Sequence, residues 1–119
     1  MSPDRDTECI FCKIADHEIP SEIVHETDTV VAFRDTNPQA PTHILLIPQD
    51  HIEDLTAITD DHGQVLADIV HAAAHLARAE EIDEGGWRLV SNVGPDAGQS
   101  VFHLHFHLLG GRKMSWPPG

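Results

Sequence analysis

The sequence predicts an α+β fold: one domain of about five mostly antiparallel strands with one long and one short helix. Three observations predict it. Short strand-like runs alternate with Gly and Pro breaks. A single stretch carries a helical repeat of apolar residues long enough for several turns. No internal repeat, low-complexity tract or interdomain linker divides the 119 residues.

Residues 1–8 read as a flexible leader and 9–119 as the domain, which includes a C-terminal tail at 112–119. In Cys9-Ile-Phe-Cys-Lys-Ile14 the apolar positions Ile10, Phe11 and Ile14 have helical spacing, giving the short helix, which Pro20 stops. Runs at 22–26 and 29–34, with Thr27-Asp28 between them, form a hairpin. Asn37-Pro38-Gln39-Ala40-Pro41 is a loop, because each Pro removes a donor and biases its predecessor to extended backbone. His43–Ile47 is a buried strand ended by Pro48. From a cap at Asp60 or Asp61, the residues Val65, Leu66, Ile69, Val70, Ala73, Leu76 and Ala77 mark the long helix, which ends before Gly85-Gly86. Trp87–Val90 and Val101–Leu109 are the last strands, joined by a Gly- and Pro-rich turn over 92–100.

Seven Lys and Arg against 20 Asp and Glu give a net charge of -13, which repels polyanions and excludes a general nucleic-acid or anionic-membrane binder. No run approaches the roughly 20 apolar residues of a membrane-spanning helix. The polar start is unlike a signal peptide, and Cys9 and Cys12 are too close to staple a fold. A cytoplasmic protein is the expectation.

In Phe102-His-Leu-His-Phe-His-Leu-Leu109, strand alternation puts His103, His105 and His107 on one face. Two chemistries suit such a row. Alternating imidazoles gather metal ions, and a neutral imidazole is also a good nucleophile for phosphoryl transfer, with neighbours that orient it and shuttle protons. Gly98, Gln99 and Ser100 precede the strand and offer peptide N–H groups and a hydroxyl as an anion cradle. Cys9-x-x-Cys12 is spaced as in metal or redox motifs but brings only two ligands. His71 and His75, four apart on the long helix, lack a third ligand and read as surface residues; His17, His25 and His62 show no partner pattern.

His-x-His-x-His with apolar residues between and two after resembles the signature of the histidine-triad (HIT) family. The likeness extends through Cys-Ile-Phe-Cys-Lys-Ile at 9–14, Asn-Pro-Gln-Ala-Pro-Thr-His at 37–43, Gly-Gln-Ser at 98–100, Leu-Gly-Gly-Arg at 109–112 and Ser-Trp-Pro-Pro-Gly at 115–119. It is similar to the branch of histidine triad nucleotide-binding proteins over nearly the whole chain. The resemblance implies a HIT-like fold and a hydrolase that cleaves purine nucleoside phosphoramidates or related nucleotide conjugates through a nucleotidyl-histidine. It implies His105 as nucleophile, His107 beside the phosphate and leaving group, and His43 as the histidine that orients and relays. Asn92, Gln99 and Ser100 lie near the phosphate, and Asp35 takes the ribose hydroxyls. Ile10, Phe11, Ile14, Ile19 and Phe33 form a slot for the base, although composition alone would make them core. Arg34 is counted beside Asp35; with Thr36 it departs from the common family pattern, leaving adenine against guanine open.

Catalysis of this kind needs no cofactor. Some members hold a structural zinc on residues that correspond to Cys9, Cys12, His51 and His103. The resemblance also implies a homodimer, with the tail around Trp116 reaching the partner's site. Two rival readings are a nucleotide-binding adaptor with little turnover and a dinucleoside polyphosphate hydrolase or nucleotidyl transferase.

Overall fold

The computed structural model describes residues 3–119. Five strands form one sheet: β1 (Ile23–Glu26), β2 (Val30–Arg34), β3 (Thr42–Pro48), β4 (Trp87–Val90) and β5 (Phe106–Gly110). Their order is β1-β2-β3-β5-β4, and every neighbouring pair is antiparallel. Two α-helices accompany them, α1 (Ile10–Ala15) and α2 (Gly63–Ala79), with three single 3₁₀ turns. The expected class, strand count and helix pair are all present. No helix among the described residues is long and apolar enough to cross a membrane.

Alternation along the strands sorts side chains into two cores. Val30 and Ala32 of β2, Ile44 and Leu46 of β3 and Leu108 of β5 pack under Ile69, Ala73 and Leu76 of α2. Val31, Phe33, Leu45 and Ile47 face the other way and pack with Phe11, Cys12 and Ile14 of α1. Because α2 covers its side along 17 residues and α1 spans only six, part of the second face is left for polar side chains. His43, His103, His105 and His107 occupy it.

Four expectations about element ends are corrected. The last strand spans Phe106–Gly110, not 101–109. Its continuation would run beside Pro48, which has no N–H to give a ladder; the chain instead bonds to the loop after β3, Leu104 N–H donating to the Ile52 carbonyl. Helix α2 begins at Gly63 because residues 60–62 form a 3₁₀ turn. Neither aspartate caps it: His62 stands at the N-cap position without a side-chain cap bond, and Thr59 caps the 3₁₀ turn in a capping box whose His62 ring accepts from the Thr59 N–H. Helix α1 ends at Ala15, before His17 at φ 61, so Pro20 is not its stop. In the leader stretch, Asp4 N–H donates to Asp50, the Asp4 carbonyl accepts from His51 N–H, and Arg5 binds both the carbonyl and the side chain of Gln49.

Candidate active site

The sheet places His43 and His107 together. His107 pairs with Leu45 in the β3–β5 register, so His43, two residues along β3 on the same face, is its diagonal neighbour. Their rings meet through Nε2 of His43 and Nδ1 of His107 at 2.9 Å. The Gln39 N–H donates to His43 Nδ1 at 3.0 Å, so neutral His43 carries its proton on Nε2 and donates it to His107. His107 therefore keeps its own proton on Nε2, the nitrogen turned away from His43. Burial, then the neighbouring His105 and His43, push His107 down to about 4. Burial also lowers His43, against the pull of Asp35, whose Oδ2 lies 3.5 Å from Nε2. Both rings are neutral at pH 7.

His103 and His105 precede β5. His105 is buried, and its Nδ1 lies 2.8 Å from the His103 carbonyl. A carbonyl only accepts, so Nδ1 bears the proton and the Nε2 lone pair is left for chemistry. The ring stands edge-on to Phe11 at 5.1 Å and lies 5.2 Å from His107. By the same logic, His103 Nε2–H donates to the Pro48 carbonyl at 2.9 Å, and its Nδ1 lone pair faces the sulfurs of Cys9 at 3.3 Å and Cys12 at 3.5 Å. His51 Nδ1 lies 3.5 Å from Cys12 Sγ. These four donor atoms lie within 4.8 Å of one another. Burial pushes the Cys12 thiol up to about 11 and His103 down to about 4, so without a cation both of these groups are uncharged at pH 7.

The remaining residues divide. Asp35 accepts from Asn37 N–H and turns its second oxygen toward His43. Phe11, Ile14 and Phe33 are buried together in the α1-side core with Ile19 against them, whereas Ile10 is half exposed. Asn92 is half-buried in the loop after β4. The N–H groups of Gly98 and Gln99 are already bonded to the carbonyls of Pro95 and Gly94, so two of the peptide donors of the expected cradle are taken. Gln99 is buried and spans its own loop, accepting from Gly94 N–H and donating to the Glu53 and Val101 carbonyls. Ser100 is exposed and borders a recess of about 260 Å³ with Ile10, His51 and Phe102. Arg34 is not turned to the site: its guanidinium forms a two-pronged bond to Glu80 and a third to Glu22. Trp116 is exposed in the tail, beneath the Arg88 guanidinium at 5.9 Å. The Gln39 N–H and the Pro48 and His103 carbonyls, which set the three tautomers, left no trace in the sequence because every residue carries such atoms.

The profile of the HIT domain matches residues 16–114. The chain belongs to the HIT family. A crystal structure of a HIT family hydrolase from Legionella pneumophila superposes with a TM-score of 0.92 at 53% identity, covering 93% of this chain and 99% of that one. The purine nucleoside phosphoramidase of Escherichia coli is 49% identical over 107 residues, 90% of each chain. A 14 kDa zinc-binding protein of Zea mays is 48% identical over 116 residues, 96% of this HIT chain and 90% of that protein.

Proposed function

We propose that this HIT-family hydrolase cleaves purine nucleoside phosphoramidates or related nucleotide conjugates by way of a nucleotidyl group on His105 Nε2. The observation that carries the reading is the 2.8 Å bond from His105 Nδ1 to the His103 carbonyl, which commits Nδ1 of a buried ring to donating and leaves Nε2 as the nitrogen free to attack. The phosphoramidase relative favours the phosphoramidate class.

The anionic phosphate brings charge that offsets the penalty of burial, so the His43–His107 pair takes one proton when substrate binds. The added proton sits on His43 Nδ1, which gives up its bond from the Gln39 N–H. His105 Nε2 attacks phosphorus, the P–N bond breaks, and the departing amine takes the His107 Nε2 proton as the His43 Nε2 proton moves to His107 Nδ1. Water then attacks phosphorus, returns a proton to the pair, and breaks the bond to His105; nucleoside monophosphate leaves. Asp35 holds the ribose hydroxyls, and Phe11, Ile14, Ile19 and Phe33 border the base, with Asn92 and Ser100 near the phosphate. The imidazoles supply the charge stabilisation, and no metal acts at phosphorus.

Zinc fits the Cys9, Cys12, His51 and His103 cluster. Sulfur–nitrogen separations of 3.3–3.5 Å lie close to the edge of a tetrahedron, about 3.6 Å, for ordinary Zn–S and Zn–N bonds. With four protein ligands the ion would serve structure, and the Pro48 carbonyl would orient His103 from behind. The working form is a homodimer in which Trp116 reaches the partner's site.

Mass spectrometry of the protein after a brief, acid-free quench with an adenosine phosphoramidate tests the reading. A transient nucleotidyl adduct on the wild type, absent from His105→Ala, is expected. Tight AMP binding with neither adduct nor AMP release would make the protein a nucleotide-binding adaptor instead.

A further inference from the structure

Five of the ten histidines belong to the catalytic face and the Cys/His cluster. Of the others, His17 pairs with Glu26 at 3.0 Å, and the His62 ring accepts from the Thr59 N–H in the turn before α2. The remaining three, His25, His71 and His75, border one groove of about 430 Å³ on the α2 side of the sheet.

Their meeting depends on an irregularity in β1. Ile23 packs into the α1-side core and Val24 against the α2-side core. Regular alternation would return His25 to the α1 side, but the β1–β2 register shifts between Ile23 and His25. Such a bulge re-aims the following side chain. The His25 ring lies 5.5 Å from that of His75, on α2. His71 and His75 are one helical turn apart, the spacing by which two helix imidazoles hold one ion. Beside them, Asp68 accepts from Thr29 and Gln64, which hold its carboxyl below the ordinary range and fix a negative charge at the groove.

We propose that His25, His71 and His75 form a second metal site, open to solvent, that takes one divalent transition ion of the imidazole-preferring class. His71 and His75 are exposed, and rotation about their side-chain bonds brings their nitrogens to the same ion, with His25 as third ligand and water completing the shell. The ion would tie edge strand β1 to α2. Cu(II) is the strongest binder of the class and the most direct probe.

The experiment adds substoichiometric Cu(II) to the ¹⁵N-labelled, zinc-loaded full chain and follows paramagnetic broadening of imidazole and amide signals, with copper affinity measured alongside. The expected result is broadening centred on His25, His71 and His75, and a loss of affinity of at least about tenfold in both His71→Ala and His75→Ala. Broadening centred instead on His43 and His107 or on the cysteine pair, or copper affinity unchanged in both variants, would overturn the site. Neither variant touches the catalytic imidazoles, so nucleotide hydrolysis by both proteins stays at the wild-type rate whichever way the copper result falls.

Discussion

An imidazole acts through whichever nitrogen is unprotonated, and here main-chain atoms decide that for three of them: Gln39 N–H for His43, and the carbonyls of Pro48 and His103 for His103 and His105. The neutrality of His107 has a cost that can be measured. In the unfolded chain a histidine takes its proton near pH 6.5, whereas in the fold His107 resists until about 4. Between those values the unfolded state binds more protons, so stability falls as pH drops from 6.5 to about 4 and levels off below. Allowing for solvent screening, His107 accounts for about 2 kcal/mol of that loss. Urea unfolding at pH 7 and pH 4.5 should show the stability of His107→Gln declining less than that of the wild type by this amount; equal declines would mean the ring is protonated in the fold. The row of His103, His105 and His107 was legible from its alternate spacing, whereas His43 and His51 were singled out only through the family resemblance. The protonated nitrogen of each was not legible, because main-chain donors and acceptors are common to all residues.

The strands and α2 were legible as elements because their apolar periods, two and 3.6, follow from geometry. Their ends were less so. The aspartates at 60 and 61 fall inside a 3₁₀ turn capped by Thr59, so α2 starts only at Gly63, and β5 begins late because Pro48 cannot extend the ladder. Arg34 shows the limit of neighbourhood as a guide. Adjacent to Asp35 in sequence, it was expected near the nucleotide, yet it bridges β2 to Glu80 at the end of α2 and to Glu22 before β1. Both partners raise its affinity for the proton, and Glu80 is lowered in return, chiefly by Arg34. The pair is partly exposed, so Arg34→Met should cost about 1–2 kcal/mol in urea unfolding. KM for an adenosine phosphoramidate should stay within about twofold; a rise of about tenfold or more would put the guanidinium on the nucleotide after all.

The whole molecule is two half-cores on one sheet, and they are covered unequally. Helix α2 covers its side with a long apolar face, whereas the α1 side has six helical residues and a polar cluster that joins three distant segments: Cys9 and Cys12, His51 after β3, and His103 before β5. Phe11 sits between the cysteines in sequence and stands against both Phe33 and His105. Whatever holds Cys9 and Cys12 therefore also holds the ring that stands against His105. Zinc would turn a buried thiol that prefers its proton into a thiolate ligand and bind the folded chain far more tightly than the unfolded one. Stripping the ion with a chelator, or replacing Cys12→Ser, should then remove at least 2–3 kcal/mol, a fall of roughly 10 °C in Tm for a chain of this size. Phosphoramidate hydrolysis should decline in step as Phe11 loosens from His105, and zinc added back should restore both in the chelated wild type but not in the variant. A Tm unchanged by chelation, in protein shown by elemental analysis to have lost its metal, would assign the stability of the α1 side to Phe11, Ile14 and Phe33 alone.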